Sequence, residues 1–174
     1  MAFLQIDYKS EALMRGVNIK VILPSDGMAG KWEPPYKTLY LLPGYSATAT
    51  ELITYLGLRG QSELKGIAIV LPDGENLFYQ DLPDRMTFYS TYVGKELVEV
   101  TRKMLPLSTK REDTFIGGIS MGGYGALYNG FKYRDTFSKV VAFSPASDAY
   151  MLLAEEDAPG FSRKQFEGIF GSKE

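Results

Sequence analysis

Four short apolar runs constrain this chain more than anything else in it. They are Thr38-Leu39-Tyr40-Leu41-Leu42, Gly66-Ile67-Ala68-Ile69-Val70-Leu71, Thr114-Phe115-Ile116-Gly117-Gly118-Ile119 and Val140-Val141-Ala142-Phe143. None shows the polar alternation of a strand with one wet face. A strand apolar on both faces has to be covered on both, as in a parallel sheet between two helical layers. Pro43-Gly44 and Pro72-Asp73-Gly74 end the first two runs with turn chemistry. Helix-length segments separate the runs. One spans about Thr50 to Leu58. Another spans Tyr89 to Leu105, where Val93, Leu97, Val100 and Met104 recur on one helix face. A third is expected from Ser120 to about Lys132. Strand and helix alternating on this scale predict parallel pairing, right-handed crossovers and a three-layer α/β/α sandwich.

The remaining segments fit around that frame. Residues 2–8 and 17–23 read as two strands forming a hairpin at the sheet edge, the second stopped by Pro24-Ser25-Asp26-Gly27. Residues 73–88 read as a long loop, Ala149 to Ala154 as helix, and the rest as loop or short helix. No repeat, low-complexity tract or linker interrupts residues 1–174, which read as one domain long enough for a core.

Nineteen basic residues against 21 acidic ones give a net charge of -2, and neither sign clusters. This argues against a nucleic-acid or anionic-membrane partner. No apolar run reaches the roughly 18 residues of a membrane span. The alternating N-terminal segment lacks the basic start of a signal peptide, so a cytoplasmic location is expected. Without cysteine there is no disulfide framework, thiol nucleophile or thiolate metal site. Without histidine the commonest metal ligand and the commonest general base are missing as well.

Gly118-Ile119-Ser120-Met121-Gly122 follows the third run directly and matches G-x-S-x-G. A serine there occupies a sharp, strained turn from strand to helix, and glycines flank it because side chains would collide across the turn. The hydroxyl is left exposed beside a helix N-terminus, whose dipole favours developing negative charge. The other reading, a structural glycine turn, fits less well with the apolar strand before Ser120 and the helix-compatible Gly123-Tyr124-Gly125-Ala126-Leu127 after it. Ser120 is therefore the candidate nucleophile. Acyl transfer at such a serine needs two backbone N–H groups aimed at the oxyanion. Met121, next in sequence, offers one. The loop Leu41-Leu42-Pro43-Gly44-Tyr45-Ser46 offers the other at Tyr45, with Gly44 allowing close backbone approach. Pro43-Gly44 also reads as an ordinary strand-ending turn, and it is Ser120 that favours the functional reading.

Residues 1–23, Leu41 to Ser46, Leu71-Pro72-Asp73-Gly74, Lys95-Glu96-Leu97 and Phe115 to Ala126 together resemble the esterase D family of α/β-hydrolases. That family includes tributyrin esterases, S-formylglutathione hydrolases and feruloyl esterases. The resemblance covers nearly the whole chain and is most specific from Gly118 to Ala126. It implies an α/β-hydrolase fold and Ser120 as nucleophile, with oxyanion N–H groups from Met121 and Tyr45. It also implies short acyl esters or thioesters as substrates, and no cofactor or metal.

Two departures accompany it. The family usually has His-Gly where this chain has Pro43-Gly44, although the oxyanion donor lies after the glycine. Family members also continue with two further strands, whose loops carry the catalytic Asp and then His. The sequence stops at Glu174, where that segment is expected to begin. The expectation is an α/β-hydrolase fold lacking its last strands and helices, with acid and base outside this chain and the chain alone inactive. The alternative is a non-catalytic acyl-binding protein. Without the last strands, strand 140–143 is expected to be a bare sheet edge, open to pairing with another copy. Asp148 fits either an acid position after that strand or a helix-capping surface aspartate. Phe78, Tyr79, Phe88 and Tyr89 fit either a substrate pocket or plain packing over the sheet.

Overall fold

A computed structural model describes residues 1–26, 32–148 and 162–171. The helix expected from Ala149 to Ala154 lies outside the described residues. Six strands form one sheet: β1 (Ala2–Ser10), β2 (Arg15–Leu23), β3 (Lys37–Leu42), β4 (Ile67–Pro72), β7 (Thr114–Ile119) and β8 (Lys139–Phe143). Their spatial order is β1-β2-β4-β3-β7-β8. β1 and β2 pair antiparallel from Ala2↔Leu23 to Ser10↔Arg15, and β2 pairs antiparallel with β4. The β4-β3, β3-β7 and β7-β8 pairs are parallel. The four apolar runs are thus the parallel part of the sheet, and the alternating N-terminal pair is its edge hairpin.

The two sides of the sheet are packed by different helices. On one side Tyr40, Leu42, Val70 and Ile116 form a core with Val93, Leu97, Val98, Met121 and Ala126. These belong to a long helical stretch and to α5 (Met121–Lys132). The stretch runs through α3 (Tyr89–Thr91), a π-helical turn Tyr92–Glu96 and α4 (Leu97–Met104). Leu41, Ile69 and Leu71 point to the other side, as the two-residue strand period requires, and pack with Ala49, Leu52 and Leu58. That second layer is α1 (Ala49–Tyr55) and α2 (Leu58–Lys65). One helix was expected there, to about Leu58. Instead Gly57, at φ 59°, ends the first and starts a second.

Loop 73–88 is not structureless either. It holds a small antiparallel hairpin, β5 (Asp81–Leu82) and β6 (Thr87–Phe88), joined by a 3₁₀ turn over Pro83–Arg85. Among the described residues the α1–α2 layer stops short of β7 and β8, leaving a groove of about 490 Å³ lined in part by Leu39, Leu41, Ile119 and Phe143. Val141 is 43% exposed and Phe143 57% exposed beside it. No helix among the described residues is long and apolar enough to cross a membrane.

Candidate active site

The parallel register brings the carboxyl ends of β3, β7 and β8 together, aligning Leu42 and Ala142 on either side of Gly118. Ser120 stands where β7 turns into α5, at φ 54° and ψ -117°, a region non-glycine residues occupy only when the surroundings enforce it. Here they do. The Ser120 N–H donates to the Phe143 carbonyl at 2.9 Å, and its carbonyl accepts from the N–H groups of Tyr124 at 3.0 Å and Ala146 at 3.1 Å. With the backbone pinned on both sides, the exposed side chain makes no capping bond to α5. Its hydroxyl is not spent on the helix.

The flanking glycines have a steric cause. A Cβ at Gly118 would collide with the Gly122 carbonyl group and lie 2.8 Å from the Gly123 nitrogen. One at Gly122 would collide with the Leu42 carbonyl oxygen and lie 2.5 Å from that of Pro43. The first turn of α5 is therefore pressed both onto its own strand and onto the end of β3. Gly44 sits above the same point: a Cβ there would be 3.3 Å from the Ile119 oxygen and 3.5 Å from the Ser120 Cβ. The turn of residues 43–46 and Ser120 thus face one space.

Met121 is the first residue of α5, where a helix N–H has no partner within the helix. Tyr45 follows Gly44 in the facing loop, which is fastened at several points. The Tyr79 hydroxyl donates to the Pro43 carbonyl at 2.8 Å. The Asn76 side-chain oxygen accepts from the Ser46 N–H at 2.7 Å, and Asp73 accepts from the Ala49 N–H at 2.7 Å. Ser46 takes φ 58°. Burial raises the Tyr79 phenol well above its ordinary pKa, so it remains a neutral donor.

The four aromatics singled out in sequence separate. Tyr79 and Tyr89 are buried packing residues in edge contact with each other, and Tyr79 also holds the Pro43 loop. Phe88 is half-buried in β6. Phe78 alone joins a cluster beside Tyr45, with rings of Tyr124, Phe166 and Phe170 packed edge-on at 5.6, 5.5 and 5.0 Å. Phe166 also stacks on Tyr45 at 6.5 Å. Phe166 and Phe170 come from α6 (Arg163–Phe170), in a stretch whose sequence reads as loop or short helix. Their four-residue spacing, with Ile169 between, was the available signal of an apolar helix face. Asp148 lies exposed on the loop after β8, two residues beyond Ala146. Among the described residues no three carboxylates converge as a metal site.

A mixed sheet of this order with a serine at the strained strand-to-helix turn defines the α/β-hydrolase class. Within it, the chain belongs to the family described as "Putative esterase", whose model matches residues 10–165. An acetyl esterase of Caldicellulosiruptor saccharolyticus is 40% identical over 84% of this chain. A Paracoccus denitrificans S-formylglutathione hydrolase is 28% identical over 94%. A substrate-bound structure of the fluorophosphonate-binding serine hydrolase FphF of Staphylococcus aureus superposes with TM-score 0.83 at 30% identity, covering 99% of this chain. The chain spans 57% and 62% of the two curated relatives and 66% of the FphF chain.

Proposed function

We propose that the protein to which these residues belong is a serine carboxylic-ester hydrolase acting on short acyl esters or thioesters, with Ser120 as nucleophile. In this reading the Ser120 oxygen attacks the acyl carbonyl and its proton passes to an imidazole. The N–H groups of Met121 and Tyr45 hold the oxyanion of the tetrahedral intermediate. The alcohol or thiol leaves with the proton, and water then hydrolyses the acyl-enzyme. The 174 residues contain no histidine, so in this reading the imidazole comes from polypeptide outside them.

The observation that carries the reading is the enforced backbone of Ser120, at φ 54° and ψ -117° with its side chain exposed and unused by the helix. Removing triad members costs an esterase of this kind orders of magnitude in rate. The 174-residue chain should accordingly turn over p-nitrophenyl acetate barely above background and label weakly with a fluorophosphonate probe. A chain extended with a histidine-bearing C-terminal segment of the family should gain both, and Ser120→Ala should abolish them. Labelling of the extended chain at a residue other than Ser120 would overturn the assignment. An extended chain that is folded but inert would favour the non-catalytic acyl-binding reading.

A further inference from the structure

Between the β5–β6 hairpin and α6 lies a cavity of about 220 Å³, lined in part by Tyr45, Glu75, Asn76, Arg85, Gln165 and Ile169. We propose that it is a subsite for a carboxylate carried by the substrate away from its scissile bond, with Arg85 as the receptor. The inference rests on Ser120 being the nucleophile and adds to that reading a substrate class: esters or thioesters bearing a remote negative charge.

Charge balance is the first reason. Glu75 is already paired, with Arg15 at 2.5 Å, and Arg15 also donates to the Tyr89 hydroxyl at 2.8 Å. The Asn76 side-chain oxygen is taken by the Ser46 N–H. Among the described residues the Arg85 guanidinium has no hydrogen-bond or ion-pair partner. The unbalanced charge in the cavity is therefore a planar cation whose paired donors match a carboxylate.

The second reason is how that cation is held. Arg85 closes the 3₁₀ turn Pro83–Arg85, which Met86 ends at φ 50°. The hairpin carrying it is tied down by Asp81, which accepts from the Thr91 N–H at 2.9 Å and pairs with Lys132 at 3.0 Å. α6 is notched opposite. A Cβ at Gly168 would fall 2.5 Å from Arg85 Nη2. A mid-helix glycine costs about 0.5–1 kcal/mol relative to alanine, and here the space it leaves is filled by the guanidinium.

Reach is the third reason. Tyr45 forms a wall of the cavity and directly follows Gly44, which faces Ser120. Consecutive Cα atoms are about 3.8 Å apart, so the subsite opens off the loop that touches the nucleophile. In this proposal a substrate with its ester at Ser120 extends past Tyr45 and places its carboxylate beside Arg85.

The test is a pair of acetate esters, 4-acetoxybenzoate and its methyl ester, titrated by ligand-observed NMR against the 174-residue chain carrying Ser120→Ala. Hydrolysis then cannot interfere. We expect the charged ester to bind roughly fivefold more tightly at low salt, the scale of a partly exposed ion pair, with the preference fading as salt is raised. Adding Arg85→Gln should equalise the two esters, and Arg85→Lys should keep part of the preference. Gly168→Ala should weaken it by displacing the guanidinium. Equal binding of both esters by the parent, or a preference that survives Arg85→Gln, would overturn the proposal. Because the readout needs no chemistry at Ser120, it fails independently of the nucleophile assignment, which fluorophosphonate labelling of the extended chain reads separately.

Discussion

Gly122→Ala should be among the most damaging single-methyl changes available in this chain. The added carbon would collide with the Leu42 carbonyl oxygen and approach that of Pro43 to 2.5 Å. Both are main-chain atoms, and Leu42 is locked in register with Gly118 across the β3–β7 ladder. Neither can swing aside as a side chain can, so α5 has to lift off the sheet. Overpacking of this kind costs about 1–3 kcal/mol, and rigid neighbours put the expected loss at or above about 3 kcal/mol. For a chain of this size that is roughly 6–12 °C in Tm. Gly60→Ala is the control. It lies within α2 with nothing within 4 Å of the new carbon, so it should stabilise by up to about 1 kcal/mol through helix propensity. Urea denaturation followed by circular dichroism measures both. A Gly122→Ala loss below about 0.5 kcal/mol, or a larger loss at Gly60, would refute the steric account of the turn.

Two further outcomes are expected. Burial pushes the phenols of Tyr8, Tyr40 and Tyr89 up to about 12 from 10, so the folded chain holds their protons more tightly than the unfolded one. Their contribution to stability should therefore be fully present below pH 10 and be lost between pH 10 and 12. For the almost fully buried Tyr40 the fall is about 2–3 kcal/mol, and the share of tyrosinate absorbance that comes from the buried phenols should appear together with unfolding, as a separate later step. At the sheet edge, β8 presents half-exposed Val141 and Phe143, so the 174-residue chain should self-associate with concentration in sedimentation velocity, and Phe143→Lys should shift it toward monomer. A wild-type chain monomeric throughout its soluble range would sink that expectation.

Local chemistry was enough to place most of the sheet. β3, β4 and β7 were legible because burial on both faces leaves a continuous apolar run, and the edge hairpin because one wet face leaves alternation; β8 is equally apolar in sequence, although Val141 and Phe143 stay about half-exposed among the described residues. The strand over Thr114–Ile119 was placed to the residue, since the glycine-flanked serine marks its end. Residues 73–88 were less legible. A two-residue hairpin has too few positions to show a period, and its order comes from tertiary ties such as Asp81 to Lys132.

For the candidate site, the sequence by itself determined where a glycine-flanked serine ends a strand and that residues 1–174 hold no imidazole, because residue type and a five-residue spacing are local properties. The tertiary structure decided which residues surround that serine. It separated Tyr79, a buried post under the Pro43 carbonyl, from Phe78, a neighbour of Tyr45. It also brought α6 to the same place, stacking Phe166 on Tyr45 from 121 positions away and fitting the Gly168 notch to the Arg85 guanidinium. Such meetings depend on how helices dock on a sheet, and no pattern within a window of the chain encodes that distance.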